Sequence, residues 1–470
     1  MDPSTRSGRA CTGQGRAGGA PLASCCARPL RWLAILAVAT LGACAHVSLL
    51  FDRHPPVVFV HGNGDSSALW QTTLWRFESN GWPRERLHAI DMPYPLARDV
   101  DSTPQPGRSS TDDQLKHLSA EVDRVLARTG ARKVVLVGNS RGGYAIRNYV
   151  QNGAGAQTVR RAILGGTPNH GIWASDFMPG SEFNGRGPFL TALNAPKGTR
   201  EFEIAAGPNW LTLRSDNNDK YAQPDGRWIG RPGMATHVGY DGPALRGATN
   251  VVLPSLDHRE VSFHTRAFEE TWLFITGVPP SRTAIVPESS PVLDGRISQP
   301  GTNLPMAGVS VEVYEVAPQT GERLGAAVHS RVTGADGRWG PMPARSDAPY
   351  EFVVAAPGFA TMHVYRSAFP RSSSVVHMRP IRLADADRGA GSVVIMTRPR
   401  GYFDLRRDRM SLDGAPLPGV PPGTAGVSES RLLVRPGPAR TIVAEFNGER
   451  IAVRTWPASE NRVVIAELHY

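Results

Sequence analysis

Lys133-Val134-Val135-Leu136-Val137-Gly138-Asn139-Ser140-Arg141-Gly142-Gly143-Tyr144-Ala145-Ile146 decides the fold. The β-rich run Lys133–Val137 reads as a strand of a parallel sheet. A helical pattern begins at Arg141 and runs to Gln151, and the two meet at Gly138-Asn139-Ser140-Arg141-Gly142, a G-x-S-x-G turn. A serine raised on a tight strand-to-helix turn needs small neighbours, because strand and helix approach closely there. The stretch therefore predicts a strand–turn–helix unit of a parallel sheet, with the Ser140 hydroxyl presented at the helix N-terminus, where developing negative charge is favoured.

The flanking sequence repeats this alternation. Val57–Val60, Arg161–Leu164, Trp210–Leu213 and Asn250–Leu253 read as further strands. Residues 111–129 carry Leu115, Leu118, Val122, Val125 and Leu126 at helical spacing, and His264–Ile275 closes the segment as an amphipathic helix. Strands alternating with helices predict an α/β domain over 55–277, a doubly wound, mainly parallel sheet. The irregular Gly-, Pro- and Phe-rich insertion between about Gly171 and Asn209 predicts a cap over that sheet. Phe177, Met178, Phe183, Phe189, Leu190 and Leu193 supply its apolar side chains, for an acyl chain or for ordinary packing.

From 278 the character changes. Residues 278–291 are a Pro-rich linker, and short alternating runs between Pro/Gly turns follow (Gly308–Val316, Tyr350–Ala355, Thr361–Tyr365), predicting a β-sandwich over 292–385. Ser392–Thr397, Arg431–Val434, Thr441–Phe446, Arg450–Thr455 and Arg462–Leu468 predict a second all-β unit over 389–470.

The N-terminal 1–44 reads as an export segment. Arg28 and Arg31 precede the apolar run Trp32–Ala43, which has the length of a signal core, and Leu41-Gly42-Ala43-Cys44 resembles a bacterial lipobox. That implies lipidation of Cys44 and attachment of the exported protein to a membrane, the outer membrane in a Gram-negative source, with plain secretion as the alternative. Cys11, Cys25, Cys26 and Cys44 are the only cysteines, so beyond Cys44 the sequence offers no disulfide and no thiolate metal site.

Of the 470 residues 40% are hydrophobic and 20% charged, which suits a globular chain, and the formal charge is +10. The basic residues are almost all arginines spread along the chain; Lys116, Lys133, Lys197 and Lys220 are the only lysines. Without a basic stripe interleaved with aromatics, nucleic acid is not an expected partner.

Ser140 as a nucleophile needs a base, and the base needs an orienting carboxylate. In the α/β-hydrolases, which this strand–turn–helix resembles, these follow on loops after later strands, acid first. The loop after Trp210–Leu213 is Arg214-Ser215-Asp216-Asn217-Asn218-Asp219, and the loop after Asn250–Leu253 is Pro254-Ser255-Leu256-Asp257-His258. His258 is the expected base. Asp219 is the expected acid, being further out on its loop, with Asp216 as competitor. His61-Gly62-Asn63-Gly64-Asp65 follows the first strand, so the Asn63 and Arg141 N–H groups are the expected oxyanion donors. His61 reads as a loop-orienting residue, His264 as a helix-start residue, and His170 and His237 as loop residues. Asp216 and Asp219 lack calcium-loop spacing. No cofactor or metal is expected.

His61-Gly62-Asn63-Gly64-Asp65, Gly138–Gly143, Gly165-Gly166-Thr167-Pro168-Asn169-His170-Gly171, Ser215–Asp219 and Asp257-His258-Arg259-Glu260 together resemble the bacterial and archaeal class 2 lipases of the α/β-hydrolase superfamily. The resemblance covers 55–277. It implies an α/β-hydrolase fold, ester or lipid substrates, Ser140 as nucleophile, Asp219 as acid, His258 as base, and Asn63 and Arg141 as oxyanion donors. Many such lipases have His before the serine and Met or Gln after it; this chain has Asn139 and Arg141, which would set a cation beside the nucleophile. The C-terminal half is similar to a carboxypeptidase-regulatory-like sandwich, and some archaeal lipases also append a β domain. Serine-dependent hydrolysis of carboxylic esters is the expected activity. A polyester depolymerase or amidase using the same residues, or a surface-binding lipoprotein with a weak catalytic domain, are the alternatives.

Overall fold

Uninterrupted apolar runs are stable as strands only where both sheet faces are covered, and the computed structural model, which describes residues 54–470, shows how these are covered. Residues 1–44, with the expected export segment and Cys44, lie outside the described residues. Six parallel strands form the first sheet: β1 (Val57–Val60), β2 (Leu87–Ile90), β3 (Val134–Asn139), β4 (Val159–Gly165), β5 (Asn209–Arg214) and β6 (Thr249–Val252), in the order β2-β1-β3-β4-β5-β6. Successive residues point to opposite faces. Val57, Phe59, Val135, Val137 and Ile163 pack beneath α1 (Gln71–Ser79) and α5, here Thr265–Thr276. Val58, Val60, Val134, Leu136 and Leu164 pack beneath α2 (Thr111–Thr129) and α3 (Arg141–Asn152). Helices on both faces make the sheet doubly wound, with β3, β4 and β5 within a residue or two of the sequence reading.

The helix ends follow from the sequence. At α2, Ser110 accepts from the Asp113 N–H while the Asp113 carboxylate accepts from the Ser110 N–H, and Gly130 closes the helix at φ 64°. The segment between β4 and β5 is mostly irregular and holds one short helix, α4 (Pro188–Asn194). β2 and α1 were not expected from the sequence.

The C-terminal strands are β7 (Ser310–Glu315), β8 (His329–Val332), β9 (Tyr350–Ala355), β10 (Thr361–Arg366), β11 (Ser392–Thr397), β12 (Met410–Leu412), β13 (Glu429–Val434), β14 (Thr441–Phe446), β15 (Glu449–Arg454) and β16 (Arg462–Glu467). They do not divide into one sheet before 385 and another after 389. A single seven-stranded sheet, in the order β8-β7-β9-β10-β16-β11-β13, takes strands from both segments, with β16 parallel to both β10 and β11. Its odd-numbered Val311, Val313, Val393 and Ile395 share one core with Trp339 and with Trp75 of α1. Val394 and Met396 lie on the other face, against the three-stranded sheet β12-β14-β15, through Ile442, Ala444 and Phe446. The C-terminal half is thus a sandwich built on a shared central sheet.

The linker is pinned rather than free: the Arg282 N–H donates to Asn80 Oδ1 (3.1 Å) and the Val286 N–H to Ser79 Oγ (2.9 Å), both at the end of α1. Residues 54–470 form one compact unit. Among the described residues no helix is long and apolar enough to cross a membrane.

Candidate active site

Ser140 sits between β3 and α3 at φ 51°, ψ −120°, a conformation L-residues rarely adopt and one that surrounding packing must enforce. Two glycines show how. A Cβ on Gly142 would lie 2.4 Å from the Val60 carbonyl oxygen, so only glycine lets α3 start this close to β1. A Cβ on Gly166 would lie 2.5 Å from the His258 carbonyl oxygen, so the loop after β4 needs glycine to let the His258 loop close in. The Ser140 N–H donates to the Gly165 carbonyl (2.9 Å), tying the turn to that same loop.

Asp219, at the end of the loop after β5, accepts from His258 Nδ1 at 2.9 Å through Oδ2 and from the Tyr221 N–H at 2.8 Å through Oδ1. Asp216 does not reach His258. Its carboxylate accepts from the N–H groups of Asn218 (3.2 Å) and Ser255 (3.0 Å), fastening the two loops together. His258 is 3% exposed, and its Nε2 is buried without a hydrogen-bond partner among the described residues. Ser140 and His258 line the same cleft of about 310 Å³, whose walls include Gly62, Asn63, Ile172, Trp173 and Phe183. Asn63 lines the cleft with Ser140, Arg141 follows Ser140 directly, and neither N–H has a turn or loop carbonyl as partner among the described residues.

The loop that carries Asn63 is held from several sides. Asn63 Oδ1 accepts from the Ala97 N–H at 2.8 Å, and His61 Nε2 accepts from the Met92 N–H at 3.0 Å. Burial pushes the His61 imidazole below its ordinary value, so it is a neutral strut, as expected of a loop-orienting residue. Asn303 of the C-terminal half donates to the Asp65 (2.9 Å) and Met92 (2.8 Å) carbonyls, reaching the loop from across the domain boundary.

The Arg141 side chain does not stand beside the nucleophile. It is 1% exposed and turned into the protein, where Nε and Nη2 donate to the two Glu182 oxygens (2.6 and 2.7 Å) and Nη1 to the Pro95 carbonyl at 3.0 Å. Burial pushes the Glu182 carboxyl up, and Arg141 opposes that push. Asn139 has a role the sequence did not reveal: its Nδ2 donates to Ser262 Oγ (2.8 Å) and to the His258 and Gly165 carbonyls, each at 3.2 Å. One amide thus links the serine turn to the histidine loop.

Of the cap side chains, Phe183 lines the cleft, whereas Leu190 and Leu193 are buried against Tyr144 as ordinary core. Ile172 and Trp173, unmarked in the sequence reading, complete that apolar wall. The cleft is also lined by Lys220, Tyr221, Trp228 and Arg259, together with Tyr402, Gly426 and Ser428 from the C-terminal half. Tyr221 meets the His258 ring edge-on at 4.6 Å. His264 caps α5, accepting from the Arg266 N–H at 3.2 Å. Among the described residues no group of three His, Cys, Asp or Glu is arranged to hold a metal ion.

Two family models match the chain: the α/β hydrolase fold over residues 55–197 and the lipase C-terminal domain over residues 290–383. Among solved structures, it is similar to the mature lipase BlEst2 of Bacillus licheniformis (21% identity over 48% of this chain and 93% of that one, TM-score 0.35). It is also similar to lipase B of Aspergillus fumigatus (14%, over 49% and 54%, TM-score 0.33) and to the esterase RhEst1 of a Rhodococcus species (17%, over 48% and 91%, TM-score 0.28). With a doubly wound parallel sheet carrying the serine turn, and a β-sandwich matched by the lipase C-terminal model, the chain has an α/β-hydrolase fold with a C-terminal β domain similar to that of lipases.

Proposed function

We propose that this hydrolase cleaves carboxylic esters through an acyl-enzyme on Ser140, with His258 as general base and Asp219 as its orienting carboxylate. One observation carries the reading. His258 is held on Nδ1 by Asp219 at 2.9 Å, while its Nε2 is buried, unpartnered, and belongs to the cleft onto which Ser140 opens. A neutral imidazole so held has one lone pair left, the arrangement a serine proton acceptor needs.

In the first step Ser140 Oγ bonds to the ester carbonyl carbon as its proton passes to His258 Nε2. The carbonyl oxygen becomes an oxyanion, stabilised by the Asn63 and Arg141 N–H groups. The C–O bond to the alcohol then breaks, and the alkoxide leaves with the proton from Nε2. Water repeats the sequence on the acyl-enzyme and releases the acid. Asp219 stays ionised throughout and stabilises the imidazolium.

The cleft, about 310 Å³, is at the small end of the range for small-molecule sites, which favours short acyl chains over long ones. Export, with a lipid-anchored Cys44, belongs to the same proposal and rests on the lipobox-like Leu41–Cys44. The test is hydrolysis of p-nitrophenyl esters from acetyl to palmitoyl by wild type and Ser140→Ala. Turnover lost in the variant, with a short-chain optimum, is the expected outcome. Full activity in Ser140→Ala would refute the nucleophile assignment, and a palmitoyl optimum would refute the chain-length reading.

A further inference from the structure

The charges lining the cleft are paired with one exception. Arg259 meets Asp65 at 3.3 Å and donates to the Pro399 carbonyl at 3.0 Å, and His258 is held by Asp219. Lys220 lines the same cleft, yet among the described residues it has no carboxylate within ion-pair distance. Its ammonium donates to the Gly426 carbonyl at 3.0 Å and lies over three rings: Tyr402 at 4.0 Å, Tyr221 at 5.0 Å and Trp228 at 5.6 Å. Burial pushes it down to about 8, so it remains mostly cationic at neutral pH.

Ring faces and a carbonyl hold an ammonium by partial charges, and the full charges that reach it from beyond ion-pair distance oppose one another, Asp219 and Asp257 attracting and Arg259 repelling. A half-buried cation so held still gains from a full negative charge, the more so where water is partly excluded. In a chain this rich in arginine, the lysine beside the triad acid is also a compact point charge that binds a carboxylate or phosphate without demanding a bidentate geometry.

We propose that Lys220 is an anion-recognising subsite of the cleft, and that the preferred substrates are esters carrying a carboxylate or phosphate on their acid or alcohol part. The proposal rests on the assignment of Ser140 as nucleophile in this cleft. Recognition would come from Lys220 Nζ, with Tyr221, Trp228 and Tyr402 as its π-face walls, so the C-terminal half would take part in choosing the substrate.

The experiment compares kcat/KM for two matched pairs, using wild type and Lys220→Met. Mono-p-nitrophenyl succinate against p-nitrophenyl butyrate places the carboxylate on the acyl side. Para-carboxyphenyl butyrate against phenyl butyrate places it on the alcohol side. The charged-to-neutral ratio should fall about tenfold or more in the variant for one pair, and that pair locates the anion. In wild type, added salt should lower the same ratio, a readout that needs no variant.

A ratio unchanged in both pairs overturns the proposal, including the case where both esters slow together because the lysine is only a staple for the aromatic wall. If wild type hydrolyses no ester at all, the nucleophile assignment fails instead. Calorimetric titration with monomethyl succinate and methyl butyrate then decides the subsite. Anion-selective binding lost in Lys220→Met upholds it, and equal binding of the two ligands overturns it.

Discussion

Replacing Arg398 with Met would test how the β domain supports the histidine loop. Arg398 follows β11 and is 3% exposed. Its guanidinium donates to Glu260 Oε1 at 2.6 Å, Asp257 Oδ2 at 3.2 Å and the Tyr402 carbonyl at 2.5 Å, and Nε donates to the Tyr470 carbonyl at 3.0 Å. Glu260 keeps a second partner, since Arg407 reaches both its oxygens at 2.6 and 2.8 Å. Among the described residues Asp257 makes no second ion pair, Arg259 and Lys220 acting on it only from farther off. It is fully buried beside Glu260, and burial with that like charge holds its carboxyl above the ordinary 3.8. The two guanidinium groups hold Glu260 below its ordinary value. Removing one partner of a buried ion pair typically destabilises by about 3–5 kcal/mol, because the other charge is left uncompensated. Here Asp257 can escape by taking a proton. In wild type its raised value means that stability falls as pH rises from the ordinary aspartate range to its folded value. Without Arg398 that folded value moves higher still, so the falling window extends upward and the gap between variant and wild type widens with pH. Urea unfolding at about pH 5 and about pH 8 should show the larger loss at the higher pH, approaching the 3–5 kcal/mol range. Equal losses at the two pH values would refute the claim that Arg398 acts by compensating Asp257. As Asp257 adjoins His258 and accepts from the Arg259 N–H at 2.7 Å, ester turnover should fall with stability at the higher pH.

Asn139→Ala should lower kcat by an order of magnitude or more with KM little changed, since it releases the His258 loop without touching the cleft's apolar wall; its stability loss should be about 1–3 kcal/mol for the buried acceptors left unpaired. A kcat equal to wild type would remove Asn139 from the positioning of His258. Labelled palmitate fed to expressing bacteria should enter the wild-type protein but not Cys44→Ser, and incorporation into both would refute lipidation at that cysteine.

The parts that could be read from sequence are those whose cause is local. The strands β3, β4 and β5 are runs buried on both faces, the ends of α2 are written in Ser110, Asp113 and Gly130, and the serine turn is marked by its own glycines. Loop order after the later strands pointed to His258 as the expected base, and to Asp219, with Asp216 as competitor, as the carboxylate that holds it. What separated Asp219 from Asp216 is a distance, set by how the loop folds back on Ser255, and no spacing rule encodes it. Arg141 shows the same limit from the other side: its charge invited a role in the cleft, but Glu182, forty-one residues on, draws it into the interior.

α1 was missed for a related reason. It has no simple polar stripe, because Phe77 packs under the first sheet while Trp75 enters the core of the C-terminal sandwich. A helix buried on two sides loses the periodicity that would reveal it. The same two-sided packing explains why the cleft's C-terminal lining was invisible. Tyr402 and Gly426 follow His258 by more than a hundred residues, and they reach the cleft because β16 ties both halves of the C-terminal sequence into one sheet that Arg398 docks onto the His258 loop. Cutting the chain between 385 and 389, as the sequence suggested, would therefore divide a sheet rather than separate domains. It would also take the Gly426 carbonyl and the Tyr402 ring away from the Lys220 ammonium they hold.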